Sequence, residues 1–314
     1  MMKKLYLAIL TFIMMIFVAT TVTYAWLSMS TSNVIRDLSL TTHLGDALEI
    51  SLDGENYYES LPSDVLISHI GRVNLTDITS LNGKDFDFGI RQQEGQARAN
   101  KDYISVTFHF RTKSLRAHEV YLSNNISNTT THDAPQNGTF IVSRGRNWVS
   151  DINFLYGPNG EMIELGDVNT YYLSHSMRVS FIEQALNEHD ERTDLSSKIF
   201  DLSGNEARGY GKDYGAVDYY RRKRGTLPLP TETPPTIYEL SKFSAESPYA
   251  LDRNSHIMTL IESDDTDENG MMYYKGIVTM NIWVEGWDAD LFDAVFGDQV
   301  KMQFEFKAVH GLLN

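Results

Sequence analysis

The stretch Tyr103-Ile104-Ser105-Val106-Thr107-Phe108-His109-Phe110-Arg111 alternates apolar and polar residues without a break. Successive side chains on a strand point to opposite faces, so Ile104, Val106, Phe108 and Phe110 share one side. A polar second side makes this a half-buried strand of an antiparallel sheet. The same period of two returns in Met177-Arg178-Val179-Ser180-Phe181. It returns again in Val300-Lys301-Met302-Gln303-Phe304-Glu305-Phe306-Lys307-Ala308, where all four polar residues face outward. Residues 276–284 are apolar or small on both faces and read as a central strand. Shorter strands are predicted at 38–44, 48–52, 120–122, 140–142, 199–202 and 256–261, bounded by turns such as Asp53-Gly54, Asn82-Gly83, Asn137-Gly138 and Asn159-Gly160. Helical spacing is sparse. Residues 289–296 have room for two turns, with Asp288 as N-cap and Gly297 as stop, and 181–188 continues its strand as a short helix. The expected fold is mainly β, an antiparallel β-sandwich or jelly roll with a few short helices.

Composition narrows the chemistry. The 314 residues carry no cysteine, which removes disulfide scaffolds, thiolate zinc sites, iron–sulfur clusters and cysteine nucleophiles. The net charge is −15, against the basic balance expected of a nucleic-acid binder. Nucleophile elbow, Walker loop, dinucleotide fingerprint and HExxH are all absent from the sequence, and the nine histidines show no i, i+4 metal pair. His109 falls on the polar side of its strand and reads as a solvated surface histidine. No enzyme is expected.

The N-terminus points to export. Lys3 and Lys4 precede an apolar run over residues 5–26, and the next charge is Arg36. The order of positive, apolar and small residues is that of an export signal, with cleavage after Ala25. The run is also long enough for an uncleaved membrane anchor, and a buried core helix is a third reading. The first two put the bulk of the chain outside the cytoplasm, since flanking lysines stay inside. The expected organisation is 1–25 as signal peptide or hydrophobic anchor helix, 26–47 as an exported N-terminal segment with the first strand, and 48–314 as the β-sandwich domain. Residues 203–247 hold four of the eight prolines and read as a large loop, or a hinge between lobes.

Two segments carry a resemblance. Thr23-Tyr24-Ala25-Trp26-Leu27-Ser28 closes the apolar run, and Asn281-Ile282-Trp283-Val284-Glu285-Gly286-Trp287-Asp288-Ala289-Asp290 precedes the last strand. Together they resemble exported surface proteins of Firmicutes, broadly the TasA and camelysin group. The resemblance implies a jelly roll on a Gram-positive cell surface or in extracellular matrix. It also implies fibres in which the mature N-terminal segment completes the sheet of the next subunit. The middle of the chain and the 203–247 stretch depart from that pattern.

Four further features stand out in the residues. Asp265-Thr266-Asp267-Glu268-Asn269-Gly270 matches the first half of a calcium loop, with Asp265, Asp267 and Asn269 as ligands. The twelfth position is Gly276 where a bidentate glutamate belongs, so a solvated acidic turn is the rival and no other cofactor is expected. Arg221-Arg222-Lys223-Arg224 is a dense cationic run flanked by tyrosines. It reads as a solvated loop, as a contact for anionic wall polymer or another copy, or as a protease site. Trp283 reads as core, whereas Trp287 covers the barrel end or stacks on a sugar. Residues 26–44 carry no charge before Arg36 and suit either addition to a neighbouring sheet edge or a flexible stalk. The expected partners are further copies of the chain, the cell envelope or a wall polymer, and the membrane through residues 5–26, but not nucleic acid. Two functions follow: an exported structural subunit assembling by strand donation, or a surface-anchored binding module for glycan or wall polymer.

Overall fold

A computed structural model describes residues 34–42, 48–71, 73–91, 95–245 and 249–312, together with Phe12, Met14 and Met15. The remainder of the apolar N-terminal run, the cleavage point at Ala25 and segment 26–33 lie outside the described residues. No helix of the described residues is long and apolar enough to cross a membrane.

Two large mixed sheets make up most of the structure. The first has nine strands built around Met272–Glu285. That strand pairs antiparallel with Ile104–Thr112 on one side and with Met177–Gln184 on the other. Its two-sided apolar sequence is thus that of a central strand, as expected. Along Ile104–Thr112 buried and half-buried residues alternate strictly. The second sheet has seven strands built around Gln299–Leu312. Val34–Thr42 pairs with it in parallel, and Glu119–Ser123 and Phe140–Ser143 pair with it antiparallel. The apolar faces of the two sheets meet. Phe110 and Phe306 stand edge to face at 5.1 Å, and Phe181 approaches Phe304 at 6.1 Å and Phe306 at 5.7 Å. Val300, Met302, Phe304 and Phe306 are fully buried between them, so the period-two pattern of the last strand is spent on this core.

Each predicted short strand has a counterpart with ends shifted by up to four residues, and 256–261 divides into His256–Thr259 and the start of Ile261–Thr266. Three sequence expectations are corrected. Residues 289–296 hold only one 3-10 turn, Asp293–Val295. Ala289, Leu291, Phe292, Ala294 and Val295 are all buried, so there is no solvent face for an amphipathic helix. The Ala289 N–H instead donates to the Arg208 carbonyl, and the Ala289 carbonyl accepts from Ala216 N–H. Residues 181–188 do not turn helical either: the strand runs on to Gln184, held by Met272–Glu285 and by Glu183 N–H donating to the Ser196 carbonyl. The 203–247 stretch is the third. It contains a 3-10 turn Glu206–Arg208, an α-helix Ala216–Arg224 and a strand Thr236–Ile237 that pairs in parallel with Ser197–Phe200. Ala216, Val217, Tyr219 and Tyr220 are buried in the core, which turns a proline-rich connection into a packed element. Gly215 makes this approach feasible: at φ 63°, an added Cβ would lie 2.1 Å from the Ala289 carbonyl oxygen.

Candidate functional site: the first-strand edge and the residues singled out by sequence

Val34–Thr42 lies against the terminal strand with a register from Val34 beside Gln299 to Thr42 beside Phe306, interrupted by a bulge between Ile35 and Asp37. Leu38 and Leu40 are fully buried and anchor it. On its other flank a strand covers only Leu40 and Thr41, through Leu61 and Ser60. The Leu38 N–H donates to Ser63 Oγ at 3.1 Å, at the start of α-helix Ser63–Ile70. Among the described residues no strand pairs with the outer flank of Val34–Ser39. Apart from the Leu38 N–H, the main-chain groups of such a flank are those an added strand would pair with.

The Trp283–Asp290 segment builds a buried charge cluster. Arg178, 1% exposed, reaches Asp201 at 2.9 Å and also pairs with Asp288. Glu285, also buried, accepts from Trp283 Nε1 at 2.9 Å and from Trp287 N–H at 3.1 Å. Asp290 accepts from Arg208 Nε at 2.7 Å. Burial pushes the Asp288 carboxyl well above the usual range, with Arg178 opposing and Asp290 and Asp201 adding. Burial also raises Asp201 and Glu285, each opposed by Arg178. For Arg178, burial works against the charge, but Asp201 and Asp288 outweigh it and the guanidinium stays ionised. Such a cluster fixes three loops on one strand and holds its charges only while every partner is present.

Sequence reasoning missed this cluster. Arg178 falls on the polar side of a period-two strand and reads as solvent-facing, while Asp288 reads as an N-cap. Both faces of that strand are in fact covered: Ser180 Oγ donates to the Gly83 carbonyl at 2.7 Å on the side that alternation marks as exposed. The available signal is the density of acidic residues in Glu285-Gly286-Trp287-Asp288-Ala289-Asp290 within an otherwise apolar stretch.

The residues predicted for contact lie elsewhere. Trp283 is core, edge to face with Phe86 at 5.2 Å. Trp287 is half-buried and packs on the core, and its carbonyl accepts from Gly211 N–H. The cationic run is the last turn of helix Ala216–Arg224, not a solvated loop. Arg221 Nε donates to the Leu227 carbonyl and Arg222 pairs with Asp218 at 2.6 Å. Lys223 bridges Asp151 at 2.8 Å and Asp293 at 3.0 Å, and Arg224 donates to the Ile90 and Arg91 carbonyls. All four heads therefore have partners within the chain.

The acidic turn joins strands Ile261–Thr266 and Met272–Glu285 as a hairpin. Asp267 accepts from Lys113 at 2.8 Å and from the N–H groups of Asn269 and Met271. Those donors depress its carboxyl to about 2. Asp265 pairs with Lys275. Two of the three candidate calcium ligands are thus engaged by lysines, and no group of three or more histidine or acidic residues that could hold a metal is found among the described residues. His109 is half-buried with Gly54 against its ring, and burial lowers its pKa.

Neither a family model, nor a curated protein, nor a solved structure matches the chain.

Proposed function

We propose that this protein is an exported structural subunit of the cell surface or extracellular matrix, whose two packed sheets form a jelly-roll type β-sandwich. Copies join when residues 26–33 of one add to the sheet of the next; the donated stretch expected at 26–35 is shorter because Val34 and Ile35 already pair with Gln299 and Val300 of their own chain. The observation that supports this best is the outer flank of Val34–Ser39, which has no strand partner among the described residues. Directly before it in sequence stand charge-free residues mixing Leu27 and Met29 with serine and threonine, a composition that tolerates extended pairing. One surface adding to a different surface is a heterologous contact and gives open filaments rather than closed rings.

The test is deletion of residues 26–33, which spares the described strand. Sedimentation of the chain beginning at Trp26 is expected to show large assemblies, and the deleted chain is expected to sediment as a monomer with an unchanged melting temperature. Assemblies that survive the deletion would overturn strand donation.

The second reading, a membrane- or wall-anchored module binding glycan or wall polymer through Trp287 and residues 221–224, has weaker support. Trp287 packs on the core and the four cationic heads are taken up inside the chain.

A further inference from the structure

A cleft of about 420 Å³ opens between strand Ser197–Phe200 of the nine-stranded sheet and strand His256–Thr259, at the end of the seven-stranded sheet opposite the first strand. Three basic side chains from separate parts of the chain line it: Arg192 from the turn after Met177–Gln184, Lys198 from strand Ser197–Phe200, and Arg253 from the turn before strand His256–Thr259. His256, Thr259, Ser196 and Ser197 also line it, together with the carboxylates Glu183 and Asp194.

Four of the neighbouring carboxylates are already committed. Glu183 accepts from Arg192 at 2.8 Å, from Thr259 N–H at 3.0 Å and from Ser196 N–H at 2.8 Å. Asp190 takes both Nε and an Nη of Arg192 at 2.8 Å. Glu119 pairs with Arg253 at 3.2 Å and accepts from Tyr121 Oη at 2.8 Å. Asp252 accepts from the N–H groups of Lys242 and Asn254. Asp194 stands exposed on the rim.

Lys198 differs from the two arginines. Its ammonium donates to the main-chain carbonyls of Arg253 and Asn254, and it forms no ion pair with a carboxylate of the described residues. Burial, with Arg253 adding, lowers it to about 8. His256 gives no counter-charge: burial, Arg253 and Lys198 push it down to about 3, so it is neutral. Its Nε2 faces Arg253 at 3.4 Å, and an arginine only donates.

We propose that this cleft binds a tetrahedral oxyanion, a phosphate group either free or within a phosphodiester polymer, with Lys198 and Arg253 as its principal contacts. Such an anion supplies the counter-charge that Lys198 lacks and accepts from both cations. Arginine and lysine together are a common pairing for phosphate, the fork giving direction and the ammonium a point charge.

The test is lysine titration in the full-length chain, followed by NMR of ¹³C-methylated lysines, with inorganic phosphate in one arm and a soluble phosphodiester oligomer in the other. Binding is expected to raise the Lys198 pKa by about one unit, the mark of a tenfold preference for the charged lysine. Lys198→Met and Arg253→Met are each expected to weaken binding about tenfold, as loss of a charge-assisted contact does. Lys198→Arg, which keeps the charge, is expected to retain binding. A response to inorganic phosphate assigns a free or terminal phosphate, and a response to the oligomer alone assigns a polymer. An unmoved Lys198 in both arms, or binding that survives Lys198→Met undiminished, overturns the proposal.

Discussion

Arg178 shows how much a single side chain can hide. Its strand alternates correctly, yet the face that alternation leaves polar is buried against the Gly83 turn and the Trp283–Asp290 segment. Alternation reports how many faces are apolar, not how many are covered, so a buried guanidinium reads as a surface one. Removing one partner from a buried ion cluster leaves the other charges unpaired and costs about 3–5 kcal/mol. Arg178→Met is therefore expected to lower stability by about that much in urea denaturation. A loss within 1 kcal/mol, the surface ion-pair range, would show that Asp201 and Asp288 do not depend on it.

Lys198 makes a pH prediction at the same scale. Its pKa falls from 10.5 to about 8 on folding. Between those values the unfolded chain binds more protons, so this lysine's contribution rises with pH, and below about 8 its penalty is constant. Comparing the native chain with Lys198→Met removes the contribution of the tyrosines, which is common to both. The stability advantage of the variant is expected to shrink as pH rises from neutral toward 10. An advantage independent of pH would contradict the assignment.

At the scale of elements, helix Ala216–Arg224 was hidden by its surroundings. Glycines and prolines on both sides mark 203–247 as a connection, and a nine-residue helix is too short to announce itself by periodicity alone. Tyr219 and Tyr220, named in the sequence only as flanks of a cationic run, are its buried face, and both donate to Asp293. The strands were legible because their core faces coincide with their apolar residues. The 289–296 segment was not, since apolar residues on every side fit a buried irregular chain as well as a helix. The helix makes a graded prediction. Lys223 is 30% exposed and touches Asp151, Asp293 and the Tyr219 hydroxyl, whereas Arg222 is 45% exposed with only its i, i+4 partner. Thermal denaturation is expected to show a loss of about 1 kcal/mol for Lys223→Gln and a few tenths for Arg222→Gln. Equal losses would mean that the run acts as a block, as a docking surface would.

For the whole molecule, two sheets share one core and the chain's first described strand lies in parallel beside its last. Parallel pairing of distant segments closes the fold late, and among the described residues the outer flank of the first strand is covered by a strand only at Leu40 and Thr41. The alternation at 300–308 made the terminal strand readable, but nothing in the sequence says which strand lies beside it. With Asp267 of the acidic turn held by Lys113 and two main-chain N–H groups, millimolar calcium is expected to leave the melting temperature unchanged. A rise that requires Asp265 and Asp267 would restore the calcium reading.

The most direct measurement is negative-stain electron microscopy of the chain beginning at Trp26, at physiological salt. Strand donation predicts regular unbranched filaments of subunit repeat. Dispersed single particles at every protein concentration tried would contradict it.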